Sequence, residues 1–217
     1  MDGEISPLTA GIFSTMGESV PHSPLRLAKS VVLIGMMGAG KTAIGRALSA
    51  RLAVEMRDSD AEIIRSSQLS IAEIFDRFGE PFFRDKEGQV IARLLDGPPC
   101  ILSTGGGAWL AERNRKLLLE KACVIWLEAD LPLLWSRVKH KSHRPLLRTD
   151  NPKTTLAELL QARTQVYQLA PRKITVQPDW SIDATAARVM DILRQDGVVS
   201  EDGVVLEDGV VLEDGAP

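Results

Sequence analysis

Apolar and polar positions alternate between two kinds of segment from residue 29 to residue 195. Short apolar runs rich in β-branched residues predict strands, as at 31–34, and longer segments with apolar residues at helical spacing follow them, as at 41–52. Strands that alternate with helices are typical of a mainly parallel sheet with helices packed on both faces. The pattern therefore predicts one α/β domain over residues 29–195.

The same reading places the remaining elements. Further strands are predicted at 52–56, 100–103, 123–127 and 174–176. Further helices are predicted at 60–66, 80–95, 110–121, 131–139, 154–169 and 183–195. Ser70 and Glu73 have the spacing of a capping box, which predicts that a helix starts there.

The two ends of the chain lack this pattern. Residues 1–28 carry scattered Pro, Ser and Gly without periodicity, which predicts a flexible extension. Residues 196–217 repeat DGVVSE and DGVVLE and hold seven acids and no base, which leaves 26 basic against 22 acidic residues in the rest of the chain. Three repeats are too few for a β-solenoid, so we expect an acidic, solvated tail whose removal leaves activity nearly intact.

Composition limits the class of protein. A chain of 217 residues with 44% hydrophobic content can bury one core, and no apolar run approaches the ~20 residues of a membrane span. The first thirty residues lack a signal core. Cys100 and Cys123 each open a predicted buried strand, so both are expected to be free thiols, as in a reducing cytoplasm.

The strongest motif is GMMGAGKT at residues 35–42, which matches the P-loop pattern GxxxxGK(S/T) between a predicted strand and helix. Its backbone N–H groups can surround phosphate oxygens, Lys41 can reach the β- and γ-phosphates, and the Thr42 hydroxyl can bind Mg²⁺. The sequence therefore predicts a nucleoside triphosphate site. No Asn-Lys-x-Asp motif is present, which argues against a regulatory GTPase and favours a small-molecule kinase.

Two carboxylates follow the predicted strand at 52–56. Asp58 and Asp60 lie two positions apart and are expected on the same side of that strand's end. Like charges this close raise each other's pKa unless cations or hydroxyls lie between them, which indicates a binding site.

Together, the P-loop, RDSDAEI (57–63), FFRDKEG (82–88), TGGGA (104–108), HRPLL (143–147) and a later arginine resemble the shikimate kinase family over roughly residues 29–195. The resemblance implies a three-layer P-loop kinase fold with a five-stranded parallel sheet of order 2-3-1-4-5. It implies transfer of the ATP γ-phosphate to the 3-hydroxyl of shikimate, with one Mg²⁺, in aromatic amino acid (chorismate) biosynthesis. It also implies a cytoplasmic monomer that binds neither nucleic acid nor membrane.

The resemblance also assigns roles to residues. It implies catalytic roles for Lys41, Asp60 and Arg144. It implies ATP contacts from Gly38, Ala39, Gly40, Lys41, Thr42, Ala43 and Arg144. It implies shikimate contacts from Asp60, Arg84, Gly105, Gly106, Gly107 and Arg163. Thr42 is then the direct ligand of Mg²⁺, Asp58 acts through a water, and Glu87 orients Arg84.

Several alternatives stay open. Arg84 on its own is equally consistent with a surface ion pair to Glu80 or Glu87. Residues 139–148 form either a solvated basic loop or a lid in which Arg144 stabilises the transferred group. Trp109 either senses the acceptor or packs in the core, and the loop at 177–180 offers no assigned adenine contact. The chain could also be another P-loop kinase, for gluconate or a nucleoside, or a binding domain without turnover.

Overall fold

The computed structural model describes residues 25–140 and 145–200. The strands among these residues are β1 (Arg26–Leu27), β2 (Val31–Ile34), β3 (Met56–Asp58), β4 (Ile101–Ser103), β5 (Cys123–Glu128), β6 (Lys173–Thr175) and β7 (Val199–Ser200). The α-helices are α1 (Lys41–Leu52), α2 (Ser59–Ser67), α3 (Ile71–Leu95), α4 (Glu112–Lys121), α5 (Leu131–Val138), α6 (Pro152–Tyr167) and α7 (Ile182–Gln195). Short 3₁₀ turns occupy Ala108–Leu110 and Pro145–Leu147.

Five parallel strands form the central sheet, in the order β3-β4-β2-β5-β6. Numbered within the sheet alone, this is the predicted order 2-3-1-4-5, so the fold prediction is confirmed. All four residues of β2 are fully buried. Because successive side chains in a strand point to opposite faces, helices must cover both faces of the sheet.

Strand β2 separates the two strands that carry the cysteines. Val31 pairs with Ile101, next to Cys100, on one side and with Cys123 on the other. Both thiols are buried and free, and burial raises the pKa of each. The prediction of free thiols is confirmed.

The strand predicted at 52–56 lies elsewhere. Leu52 is the buried last residue of α1, Ala53 ends that helix in a left-handed conformation (φ 52°), and β3 begins only at Met56. The expectation that Asp58 and Asp60 leave one strand on the same side is therefore wrong. Asp58 ends β3, whereas Asp60 lies in the first turn of α2.

Helix α3 begins at the predicted capping box and contains one break. Ser70 accepts a hydrogen bond from the N–H of Glu73, whose carboxylate accepts one from the N–H of Ser70. Gly79 has a φ of 81°, a conformation that glycine adopts without steric cost, and Pro81 follows it. The break separates the capped start of α3 from the segment that carries Arg84.

A small antiparallel pair extends the fold beyond the predicted boundaries at 29 and 195. Strand β1 pairs with β7, and the N–H of Ala28 donates to the carbonyl of Val198. Val198 and Val199 are buried, so residues 196–200 of the predicted tail belong to the packed structure. Residues 1–24 and 201–217, the rest of the predicted extension and tail, lie outside the described residues.

This packing changes the expected effect of truncation. Removing residues 196–217 deletes two buried valines, so we expect unfolding free energy to fall by about 3 kcal/mol or more. Removing only 201–217 keeps both valines and their pairing with β1, so we expect a smaller loss of unfolding free energy. Urea unfolding of the two proteins side by side measures this, and equal stability would contradict the packing of β7.

Trp109 packs in the core. Its side chain is 1% exposed, and its indole N–H donates to the carbonyl of Val166 on α6 at 2.8 Å. The core interpretation therefore holds, and the indole helps to fix the helix that carries Arg163.

The same contact gives a prediction. Trp109→Phe removes the indole donor, while the carbonyl of Val166 keeps the N–H of Leu169 (3.2 Å) as a donor, so we expect a loss of about 0.5–1.5 kcal/mol of stability. Trp135→Phe is the control, because the described residues include no hydrogen-bond partner for this partly buried indole. Thermal melts of both variants decide the matter, and an equal shift in Tm would show that the hydrogen bond contributes nothing.

Among the helices that the structure describes, none is both long enough and apolar enough to cross a membrane.

Candidate active site

A tight loop connects the central strand β2 to helix α1. Gly38 (φ 86°) and Gly40 (φ 101°) adopt left-handed conformations, and a Cβ at Gly38 would lie 2.9 Å from Val138. Gly40 is the N-cap of α1 and supplies no side chain. The first N–H groups of the helix therefore face the open end of the loop, where they favour an anion.

Two cations hold the carbonyl side of this loop. Lys41 donates from Nζ to the carbonyls of Gly35 (2.9 Å) and Met36 (3.1 Å). Arg137 on α5 donates from Nη1 to the carbonyls of Gly38 (3.2 Å) and Ala39 (3.4 Å), and burial lowers its pKa. Sequence reasoning did not identify Arg137, because its contact with the loop spans almost a hundred residues.

A cavity of about 650 Å³ opens in front of the loop. Its phosphate-loop side is formed by Gly38, Gly40, Lys41, Thr42 and Ala43. A second part of the lining consists of Asp58, Asp60, Ser103, Gly105 and Gly106, and the lining also includes Arg137, Val176, Trp180, Ile182 and Thr185. Ala39, by contrast, is fully buried and does not line the cavity.

The two carboxylates face different partners. Asp58 caps α2, because its Oδ1 accepts hydrogen bonds from the N–H groups of Asp60 (3.0 Å) and Ala61 (3.3 Å). Its Oδ2 accepts from the Thr42 hydroxyl at 3.4 Å. Asp60 points towards Gly105, where a Cβ would lie 2.6 Å from its Oδ1. One carboxylate thus lies beside the P-loop and the other beside the glycine triplet.

The hydroxyl of Thr42 lies close to the side-chain oxygens of two other residues, Asp58 and Ser103. The Thr42 hydroxyl also lies 3.4 Å from the Ser103 hydroxyl. No group of three acidic, His or Cys side chains suited to a metal occurs in the part of the chain that the structure describes. Because Mg²⁺ is commonly held by one or two protein oxygens together with phosphates and waters, this set fits Mg²⁺ that arrives with a nucleotide.

Three residues predicted to bind the acceptor substrate lie beside the glycine triplet 105–107; they are Asp60, Arg84 and Arg163. A Cβ on the first glycine would meet Asp60 at 2.6 Å and the Glu87 carboxylate at 3.1 Å. A Cβ on the second would lie 3.7 Å from the Arg163 guanidinium, and on the third 2.4 Å from that of Arg84. The missing side chains therefore leave room for two carboxylates and two guanidinium groups beside this backbone segment.

Arg84 pairs with both carboxylates considered from the sequence. Its Nη1 donates to Glu87 Oε2 at 2.9 Å, and its Nε and Nη2 donate to Glu80 Oε1 at 3.1 and 3.0 Å. Glu87 is fully buried, and burial raises its pKa to about 7, against the lowering effect of Arg84. The contact with Glu87 fixes the guanidinium beside the glycine triplet.

Tyr167 is a second residue that sequence reasoning missed. Its hydroxyl donates to the carbonyl of Gly106 at 2.5 Å, and its ring stacks on Trp126 with centroids 5.8 Å apart. Burial raises the pKa of Tyr167 to about 12, so the hydroxyl keeps its proton. Tyr167 lies four residues after Arg163 on α6, and therefore on the same face of the helix.

The cavity lining includes one tryptophan that is stacked with a cation. The Arg188 guanidinium lies 3.6 Å from the centroid of the Trp180 ring, and Trp180 and Arg137 both line the cavity. An indole stacked in this way presents a flat apolar surface to a planar ligand group. The only signal in the sequence was a tryptophan in the short loop before α7.

The predicted lid is described in part. Arg144 lies in the segment 141–144, outside the described residues. The chain is described again from the 3₁₀ turn at Pro145–Leu147, in which Leu147 is buried and Leu146 exposed.

Comparisons with known proteins agree with one another. A family model described as shikimate kinase matches residues 37–194. The shikimate kinase of Ruegeria pomeroyi is 54% identical over 167 residues, which cover 77% of this chain and 86% of the relative. That of Cereibacter sphaeroides is 55% identical over 168 residues, with coverages of 77% and 84%. The solved shikimate kinase from Acinetobacter baumannii, in complex with shikimate, superposes with a TM-score of 0.73 at 33% identity and covers 77% of this chain and 94% of its own.

Proposed function

The chain belongs to the shikimate kinase family, and from this premise we propose that its site transfers the γ-phosphate of ATP to the 3-hydroxyl of shikimate. The products are shikimate 3-phosphate and ADP, within aromatic amino acid (chorismate) biosynthesis. One observation carries the proposal: a phosphate loop and an arginine-glycine acceptor site meet at the carboxyl edge of one sheet, with Asp60 between them. Ligands of open α/β sheets bind at this edge.

The nucleotide is bound by the P-loop residues that line the cavity, which are Gly38 and Gly40 to Ala43. The N–H groups at the start of α1 bind phosphate oxygens, and the Lys41 ammonium stabilises charge on the transferred group. The part of the lining that includes Arg137 and Trp180 is left for the nucleoside. This arrangement holds the γ-phosphate towards Asp60.

Mg²⁺ is the metal that this site fits. Thr42 would bind it directly, and Asp58 would do so through a water, since Thr42 and Asp58 lie within 3.4 Å of each other. The ion, when bound, neutralises charge on the β- and γ-phosphates. Asp58 meanwhile caps α2 and so fixes the backbone on which Asp60 stands.

The acceptor lies against the glycine triplet 105–107. Arg84 and Arg163 are placed to bind its carboxylate, because a guanidinium offers planar paired donors. Asp60 accepts hydrogen bonds from ring hydroxyls and takes the proton of the attacking hydroxyl as the phosphoryl group is transferred. Arg144, from the predicted lid, adds positive charge over the transferred group.

The boundaries and state of the protein follow as further proposals. The catalytic domain is the predicted unit 29–195 together with the β1–β7 pair. The protein works in the cytoplasm, which the two buried free thiols support, and it works as a monomer. Light scattering of the purified protein tests the monomer, and a stable dimer would contradict it.

A coupled ADP-release assay tests the reaction. ADP should appear with ATP, Mg²⁺ and shikimate, and no more than slowly when shikimate is omitted or replaced by gluconate or a nucleoside. Equal rates with gluconate would favour another small-molecule kinase. Tight shikimate binding without ADP release would favour a non-catalytic binding domain.

A further inference from the structure

Glu87 is a buried carboxyl group that the transfer reaction does not use. Its side chain is 0% exposed, and Oε2 accepts a hydrogen bond from Arg84. Its other oxygen, Oε1, has no hydrogen-bond partner among the described residues. A buried carboxylate oxygen without a donor is costly, whereas a protonated oxygen can itself donate a hydrogen bond. The geometry therefore favours a proton on this group.

The charges around Glu87 are closely balanced. Its Oε1 and the Asp60 Oδ1 lie 3.1 and 2.6 Å from the same point, the Cβ position of Gly105, so two carboxylates share one small space. Glu80 on the same helix adds a third negative charge, and Arg84 opposes all three. From α6, the neutral hydroxyl of Tyr167 and the guanidinium of Arg163 complete the surroundings. Burial, which raises the pKa of Glu87 most, together with these opposing charges leaves it at about 7.

Binding of the acceptor substrate changes the surroundings of Glu87 in a way that favours its neutral form. The proposed function, on which this step rests, places the carboxylate of shikimate on Arg84 and Arg163 and expels water from the glycine triplet. An added negative charge and a lower local dielectric both favour the neutral form of a carboxyl group. We propose that Glu87 takes up a proton when shikimate binds, so that the uncharged acid positions Arg84 in the complex.

Proton linkage determines whether shikimate affinity rises or falls with pH. Because the complex favours protonated Glu87, shikimate affinity should be highest below the pKa of the free protein, about 7, and should fall as pH rises through it. The fall can approach about tenfold per pH unit until the higher pKa of the complex is reached. A merely structural Glu87 would leave this profile flat, since shikimate itself stays ionised in this range.

Calorimetry in buffers of different ionisation enthalpy measures how many protons the protein takes up when shikimate binds. Shikimate is titrated into the full chain without nucleotide at pH 7.5 in phosphate, Hepes and Tris. We expect uptake of a fraction of a proton and a Kd that rises several-fold between about pH 6.5 and 8.5. Glu87→Gln should abolish both effects. The matched control Glu80→Gln removes the exposed carboxylate from the same guanidinium and should retain proton uptake.

The outcomes separate the two proposals. Shikimate binding without proton uptake in the wild type, or undiminished uptake in Glu87→Gln, overturns this inference and leaves the proposed function standing. No shikimate binding at all contradicts both. Should Glu87→Gln fail to fold, infrared difference spectra of the wild type replace it. A new protonated-carboxyl band on binding supports the proposal, and its absence refutes it.

Discussion

Asp60→Asn should lower kcat with shikimate by about 10²–10⁴-fold and leave ATP affinity unchanged. Asp60 is the carboxylate on the acceptor side, since its Oδ1 faces Gly105, whereas Asp58 lies beside Thr42. The amide keeps the size of the side chain but loses the negative charge and cannot take the proton of the attacking hydroxyl. The loss should therefore appear in turnover and not in nucleotide binding.

Two measurements and one control test this effect. The coupled assay gives kcat, and calorimetry with ATP and Mg²⁺ gives nucleotide affinity. In the matched control, Asp58→Asn, the change lies at the proposed metal side and should raise the Mg²⁺ concentration needed for activity. Near-normal turnover by Asp60→Asn would show that the role given to Asp60 is wrong.

Lys41→Ala should lower kcat by about 10²–10³-fold, whichever acceptor is supplied. Lys41 is the first residue of α1 and lines the cavity. Its ammonium lies within 3.1 Å of two carbonyls of the P-loop. Its removal takes away positive charge from the transferred phosphoryl group and also a hydrogen-bond donor that holds the loop. A loss in kcat at saturating ATP and shikimate separates this effect from weaker binding.

The control for this variant is an exposed lysine outside the site. Lys116 on α4 is 77% exposed and pairs with Glu112, so Lys116→Ala removes the same charge without touching the cavity. Its kcat should equal that of the wild type. An unaffected kcat in Lys41→Ala would contradict the assignment of this loop as the phosphate site.

The fold was predictable where local pattern and motif agreed. The strand at 31–34, the helix at 41–52 and the capping box at Ser70 all form as predicted. The run at 52–56 was placed wrongly because a short apolar segment fits the buried end of a helix as well as a strand. Nothing in the residue type of Ala53 signals its left-handed conformation.

Among the residues of the candidate site, only those that belong to motifs could be predicted from the sequence. Arg137 and Tyr167 reach the P-loop and Gly106 from helices far along the chain, and no local pattern marks such contacts. The packed Val198 and Val199 likewise belong to a repeat whose later copies have nearly the same sequence. Composition therefore cannot show that the first copy has a partner; its pairing with β1 does.

The β1–β7 pair also shows where the chain can be joined to make a circularly permuted protein. Arg26 lies opposite Ser200, at the amino ends of the parallel strands, whereas the candidate site lies at their carboxyl ends. A short flexible linker could therefore join these two positions, and new termini could be opened in the exposed Pro98–Pro99 segment between α3 and β4. Such a circularly permuted protein would keep every sheet neighbour, and the linker between Arg26 and Ser200 would lie away from the substrates.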